Sequence, residues 1–283
     1  MVKAIITILA FLGIQIIVGA LITIAFNVPN LQSGAPFDPT IAATSPTATG
    51  IALLAANILI ALTLWLARLV RRPLIKPRDR RGKSPRVWRG AAYVVLSVPF
   101  IALFTGLLAE MLGANDIMQK TFAQLARHPL GILGIVLIGP IVEEIVFREG
   151  VLRQLLVKGF TPWWSVAVSA LIFGCIHFNP VQIVGGTIFG IVLGWLYLRT
   201  GDIRLPALLH VLNNALAVIM LNTDEANTRL DETLLDLLPV RSTLTDSLTL
   251  AGALFALALA SYGILLLWAR RAPQYPGREE FED

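Results

Sequence analysis

The stretch 138–150, Ile-Gly-Pro-Ile-Val-Glu-Glu-Ile-Val-Phe-Arg-Glu-Gly, places two carboxylates and a guanidinium in an otherwise apolar segment. An ionised side chain at the centre of a bilayer costs roughly 2.5–3.5 kcal/mol on insertion scales, so such residues mark functional sites. On a helix, Glu144 and Arg148 are four residues apart and can pair. Glu143 lies about 100° round the helix and has no partner in its own turn. The stretch therefore predicts a membrane helix in which Glu143 is free for proton transfer.

The composition of the whole chain indicates a membrane protein. Of the 283 residues, 56% are hydrophobic and only 14% are charged, whereas soluble domains carry roughly a quarter charged residues. In lipid, a helix satisfies all of its backbone groups within one segment. The single cysteine, Cys175, excludes an internal disulfide and a thiolate metal cluster. We therefore predict an all-α, polytopic membrane helix bundle with an active site inside the membrane.

Eight apolar segments are each close to the ~20 residues that a helix needs to cross a bilayer. They cover residues 4–26, 50–70, 91–112, 129–156, 163–178, 181–198, 206–221 and 248–268. The first is long for a signal peptide and has no clear cleavage site, so we expect a retained helix. The chain then divides into an N-terminal transmembrane region (1–128), a core (129–221) and a final part (222–283) with an acidic loop, the last helix and a tail.

Loop charges predict the orientation in the membrane. The loop 68–90 is dense in Lys and Arg, the loop 27–48 contains neither, and the loop 222–246 is acidic on balance. Because basic loops remain in the cytoplasm, we expect both termini and the loop 68–90 there. The alternative role of the basic loop is contact with anionic lipid. The protein is predicted to be a multi-pass protein of the plasma or inner membrane, with no nucleic-acid partner.

Two later apolar segments carry polar side chains at helical spacing. Phe173 and His177 lie in the fifth segment, while His210 and Asn214 begin the seventh, with Asn213 beside them. Residues four apart share one face of a helix. These two pairs and the motif Glu143-Glu144-x-x-x-Arg148 can therefore face one interior cavity.

These side chains suit hydrolysis. Glu143 can take a proton from water, and His177 can hold and orient the same water. His210 and Asn214 can donate to a tetrahedral oxyanion. Alternatively, Glu143, His177 and His210 can ligate Zn²⁺ with water in the open position. No His-Glu-x-x-His motif is present, and the sequence leaves both the zinc and the metal-free mechanisms open.

Three motifs in a fixed order on successive apolar segments resemble the CPBP intramembrane protease family, the type II CAAX prenyl endopeptidases and their bacterial relatives, also called the ABI family. The motifs are Glu143-Glu144-x-x-x-Arg148, Phe173-x-x-x-His177 and His210-x-x-x-Asn214. The resemblance covers residues 129–221. It implies peptide-bond hydrolysis at a site inside the bilayer, reached from the cytoplasmic side.

The resemblance also implies a role for each matched residue. Glu143 is the base that activates water, and His177 assists it. His210 and Asn214 stabilise the oxyanion, although Asn213 is an adjacent candidate for the amide. The implied supporting residues are Glu144 and Arg148.

The expected partners are the lipid bilayer and a peptide or protein substrate, lipidated or membrane-bound. A prenylated C-terminal tail is the expectation for eukaryotic and archaeal relatives, and unmodified peptides are equally open. Two other functions compete with proteolysis. The first is a non-catalytic immunity or partner-binding protein on the same scaffold. The second is a proton-coupled transporter, which predicts an internal symmetry that the sequence does not show clearly.

The order of the segments creates a conflict of depth. Simple alternation places His177 at the far end of the fifth segment, whereas His210 begins the seventh near the cytoplasm. Both can meet Glu143 only if the fifth helix is short or ends inside the protein. Asn179-Pro180 predicts such a break, because irregular backbone is tolerated where it lines a cavity.

Overall fold

The computed structural model describes residues 1–70 and 87–222, with a few isolated residues between 252 and 267. Across these residues the chain is helical and has no strand, which confirms the predicted all-α bundle. Most of the basic loop, most of the predicted eighth segment and the rest of the final part lie outside the described residues.

The described chain contains nine helices, with the bounds that follow. They are α1 Val2–Gln32, α2 Thr40–Thr44, α3 Pro46–Leu66, α4 Val87–Met111, α5 Gln119–Leu125, α6 Pro129–Val157, α7 Pro162–Cys175, α8 Pro180–Thr200 and α9 Arg204–Leu221. Of these, α1, α3, α6, α8 and α9 are long and apolar enough to cross a membrane. The apolar parts of α4 and α7 are shorter. The first seven predicted segments coincide with helices, and the total of eight stays a prediction.

The helix α6 contains two π-helical segments. Pro129 occupies its first turn, where a missing N–H costs nothing. The segments Leu133–Ile138 and Ile145–Leu152 are π-helical, and they flank the α-helical turn Gly139–Glu144. Such widened turns occur frequently at functional sites. In α6 they lie directly on both sides of the two adjacent glutamates.

The helix α7 is short, as the conflict of depth required. Its 14 residues span about 21 Å, less than the ~30 Å hydrocarbon core. Phe178 then adopts a left-handed conformation with φ +51°, and Pro180 starts α8. Asn179 is buried between the two helices, donates to Asp116 Oδ1 at 2.9 Å and accepts from the N–H of Ile117 at 3.2 Å. These bonds join the α7–α8 turn to the connection before α5.

Close packing between α7 and α8 depends on glycine. A Cβ at Gly174 would overlap with the hydroxyl of Thr187, and a Cβ at Gly190 would lie 3.1 Å from Ala170. The two helices can therefore approach closely only without side chains at these positions. This packing carries the end of α7 toward the interior of the bundle.

Contacts define two ends of the bundle. At the first, Lys3 Nζ donates to the carbonyl of Arg68 at 3.4 Å, and Gly150 lies against Thr7. We call this the basic end, because the loop 68–90 leaves from it. At the opposite end, Asn222 Nδ2 donates to the carbonyl of Ala126 at 2.9 Å. The helices α4, α6, α8 and α9 run between these two ends.

Candidate active site

A cavity of about 790 Å³ lies between α4, α6, α7, α8 and α9. Its walls are mainly apolar. Four of the predicted site residues line it, namely Glu143, His177, His210 and Asn214, and Asn213 lines it too. The structure thus brings together residues from α6, α9 and the turn after α7 that are up to 71 positions apart, from Glu143 to Asn214. Their predicted catalytic roles remain predictions.

The two adjacent glutamates have different surroundings. The Glu143 side chain is 21% exposed and faces the cavity. Glu144 is fully buried, and its Oε2 lies 2.9 Å from Nε of Arg148, which is also fully buried. This confirms the predicted ion pair. The Arg148 guanidinium also lies 5.4 Å from the ring centroid of Phe173, within cation–π range.

His210 connects the two glutamates. Its Nδ1 lies 3.1 Å from Glu144 Oε1, and its Nε2 lies 3.6 Å from Glu143 Oε2. An ionised carboxylate only accepts hydrogen bonds, so the contact with Glu144 places a proton on Nδ1. In the neutral ring, Nε2 is then an acceptor. Glu143, which has no partner in its own turn, therefore meets His210 from another helix.

His177, in the turn after α7, is held by the backbone of that helix. Its Nδ1 lies 2.7 Å from the carbonyl oxygen of Phe173. Since a carbonyl only accepts, Nδ1 carries the proton and Nε2 is an acceptor in the neutral ring. The Phe173 ring also packs edge-on against His177 at 5.1 Å and against His210 at 5.6 Å. Phe173, which begins the second motif, therefore contacts both histidines.

Asn214 is anchored to α6 through a backbone carbonyl that the π-helical turn leaves available. Its Nδ2 donates to the oxygen of Ile135 at 2.9 Å. Within a helix, that oxygen would accept from the N–H of the residue four or five positions later, which are the positions of Gly139 and Pro140. The N–H of Gly139 bonds to Gly134 instead, and proline has no N–H. Pro140 was therefore a sequence signal for this contact, although spacing alone could not have named the partner.

The two asparagines differ in their contacts. Asn213 Nδ2 lies 3.4 Å from Asn214 Oδ1, which makes this a long hydrogen bond. Asn213 therefore supports the amide of Asn214, while Asn214 alone reaches α6. Both still line the cavity.

The fit of a zinc ion depends on the ring nitrogens of the two histidines. Nδ1 of His210 faces the Glu144 carboxylate and Nδ1 of His177 faces a carbonyl, as in many metal-ligating histidines, which leaves Nε2 of each ring for a metal. Among the described residues, however, no three His, Cys, Asp or Glu side chains form a group that could hold a metal ion. A zinc site of Glu143, His177 and His210 would need these donors directed at one point.

A second polar cluster follows on α6, nearer the basic end. Arg153 Nε lies 3.2 Å from Glu149 Oε2, and the Tyr197 hydroxyl donates to Glu149 Oε1 at 2.8 Å. All three side chains are buried, and none lines the cavity. Glu149 therefore has its own partners away from the cavity.

The region that contains the site residues is similar to known proteins. Residues 125–216 match the family model described as "Type II CAAX prenyl endopeptidase Rce1-like". The chain is 28% identical over 165 residues to the putative membrane peptidase YdiL of Bacillus subtilis (strain 168), which covers 56% of this chain and 67% of that protein. It is 27% identical over 179 residues to the membrane-embedded CAAX protease MroQ of Staphylococcus aureus (strain USA300), covering 59% and 70%. No solved structure matches the chain.

The matched region extends from the end of α5 into α9 and contains all six predicted site residues. Its model and the names of both relatives agree with the resemblance carried by the three motifs. Over this region the chain is therefore similar to the CPBP family of membrane CAAX-type proteases.

Proposed function

We propose that the protein is an intramembrane endopeptidase that hydrolyses a peptide bond with water activated by Glu143. One observation carries the proposal. Of the two adjacent carboxylates, only Glu143 faces the cavity, while Glu144 is committed to Arg148 and His210. A carboxylate that is not tied into an ion pair and can contact water is suited to act as a general base.

In the first step, Glu143 takes a proton from a water molecule in the cavity. His177 Nε2 accepts a hydrogen bond from the second O–H group of that water and so orients it. The resulting hydroxide attacks the carbonyl carbon of the scissile bond. A positioned general base of this kind contributes roughly 10²–10⁴-fold to a rate.

The second step produces a tetrahedral intermediate with a negative oxygen. Asn214 has two N–H groups, and only one is used on Ile135. The other can donate to the oxyanion. His210 can donate through Nε2 only when both of its ring nitrogens carry a proton.

In the third step the intermediate collapses and the carbon–nitrogen bond breaks. Glu143, now protonated, gives its proton to the departing amine. The products are a new carboxylic acid and a new amine, between which the remaining proton of the water is shared in solution as carboxylate and ammonium, and Glu143 returns to its ionised form. The ion pair of Glu144 with Arg148 keeps the position of His210 fixed throughout.

The substrate is a peptide or protein segment with apolar character. The mainly apolar walls of the cavity support this choice. The family description and the name of one relative refer to CAAX substrates. A prenylated tail and an unmodified apolar peptide are therefore the two candidates for this chain.

The test compares protein and peptide termini by mass spectrometry in cells that express wild-type protein, Glu143→Gln or Glu149→Gln. Glu149→Gln is the matched control, because it alters a buried carboxylate outside the cavity. We expect new termini with wild type and the control but not with Glu143→Gln. Identical termini in all three strains would contradict proteolysis and favour the non-catalytic, partner-binding alternative.

A further inference from the structure

The cavity occupies only one half of the bundle. Its lining residues fall within 99–106 of α4, 134–143 of α6, 181–189 of α8 and 210–220 of α9. In each helix, this is the part nearer the opposite end or the middle, away from the basic end. Asp116 and Met118 in the connection before α5 also line the cavity, and both are exposed. The cavity therefore opens at the opposite end.

The half toward the basic end is closed by packed side chains. They come from α6, α8 and α9 and are fully buried: Phe147, Arg148, Leu152, Leu193, Leu196, Tyr197 and Leu209. Interiors packed in this way leave few voids larger than a water molecule. A substrate segment cannot reach Glu143 through this half without unpacking it.

The charges of the two ends differ strongly. The loop between α3 and α4 leaves from the basic end, and the connections after α6 and after α8 return to the same end with Arg153, Lys158, Arg199 and Arg204. The part of α8 that contains Tyr197 lies toward the same end, because Tyr197 bonds to Glu149, which is beside Gly150. The connections at the opposite end contain few Lys or Arg. The basic end is therefore the one that the positive-inside rule assigns to the cytoplasm.

Two expectations from the sequence conflict in this fold. A cytoplasmic basic loop and a site reached from the cytoplasm cannot both hold, because the cavity opens at the end away from that loop. Loop charge is a property of this chain, whereas cytoplasmic access came only from the family resemblance. We propose that substrates enter from the extracytoplasmic face, and that the substrate is an apolar peptide segment exposed on that side. This inference rests on the proposed protease function.

The turn of α7 into α8 supports access from this face. His177 lies in that turn, two residues before Asn179, which is bonded to Asp116 at the cavity mouth. The base Glu143 lies deeper, where α6 passes the middle of the bundle. A segment that enters at Asp116 and Met118 therefore meets His177 and then Glu143.

Sidedness can be measured without any activity assay. In a Cys175→Ser background, which removes the single native cysteine, Lys120→Cys places a thiol on α5 at the opposite end. Lys158→Cys places one at the basic end, and both positions are exposed. Spheroplasts are treated with a membrane-impermeant maleimide before and after permeabilisation. We expect Lys120→Cys to be labelled in intact spheroplasts and Lys158→Cys only after permeabilisation.

Labelling of Lys158→Cys in intact spheroplasts, or failure to label Lys120→Cys there, would overturn the proposal. A second arm uses Met118→Cys, which places the thiol at the cavity mouth. Once a cleaved substrate is known, the impermeant reagent added outside should stop cleavage by this variant relative to the untreated variant. Unchanged cleavage after complete modification would contradict entry at Met118. Loss of the protease function alone would leave the labelling result intact, so the two claims fail separately.

Discussion

Two buried carboxylate–guanidinium pairs follow each other on α6, and only the first touches the cavity. Glu144 pairs with Arg148, and Glu149 pairs with Arg153. Both pairs have i,i+4 spacing and a third partner from a later helix, His210 for the first and Tyr197 for the second. His210 reaches Glu143, whereas Tyr197 ends in the packed core. The third partner, and not the spacing of the pair, therefore decides which pair adjoins the cavity.

The largest expected effect comes from removing the guanidinium of the first pair. Arg148→Ala leaves Glu144 buried without its counter-ion, which typically costs roughly 3–5 kcal/mol. Glu143→Ala should cost much less stability, because Glu143 faces the cavity and is partly exposed. Thermal unfolding in detergent measures both variants. Equal losses for the two would contradict the ion-pair interpretation.

The next effect concerns the amide beside the cavity. Asn214→Ala removes both the anchor to Ile135 and the proposed oxyanion donor, so kcat should fall by roughly 10²–10³-fold. Asn213→Ala should lower kcat less, since Asn213 contacts only Asn214. Steady-state kinetics on folded protein decide between them. A larger loss for Asn213→Ala would make Asn213 the site amide.

Glu144 and Glu149, the carboxylates of the two ion pairs, can be compared directly in their effect on kcat. Glu144→Gln disturbs the residue that fixes His210, and a misplacement of about 1 Å in a catalytic site can cost roughly 10²-fold in rate. Glu149→Gln should destabilise the protein while folded protein keeps its kcat. The kcat of each variant is corrected for the folded fraction by size-exclusion chromatography. A matching loss in Glu149→Gln would mean that both pairs support catalysis.

The smallest effect belongs to the second cluster. Tyr197→Phe removes one buried hydrogen bond to Glu149, a net change of about 1 kcal/mol in stability. No change in kcat is expected, because Tyr197 does not line the cavity. The same thermal and kinetic assays test this variant. A fall in kcat at unchanged stability would link the second cluster to the chemistry.

The sequence predicted the helical bundle and the members of the site because charge inside an apolar segment is costly. Glu143, Glu144 and Arg148 stood out for this reason, and helical spacing gave the ion pair. Helical spacing could not predict the contact of His210 with both glutamates, because this contact depends on how α9 packs against α6. The anchor of Asn214 likewise depends on a π-helical turn that no periodicity in the sequence announces.

The sequence predicted the break after the fifth segment better than it predicted the end of the bundle at which the cavity opens. Asn179-Pro180 correctly indicated that the fifth segment ends early, because proline cannot continue a helix. The direction in which the cavity opens was not readable, since it depends on which halves of five helices stay apart. Loop charge gives the orientation of a helix but says nothing of where a bundle is hollow.

The central claim is that Glu143 performs the chemistry while its neighbour and the second cluster hold the structure. The most direct measurement is kcat for wild type, Glu143→Gln and Glu149→Gln in proteoliposomes, on a peptide that the wild-type protein cleaves. We predict a loss of roughly 10²–10⁴-fold for Glu143→Gln and wild-type kcat for Glu149→Gln. A Glu143→Gln variant that cleaves the peptide as fast as wild type would contradict the account.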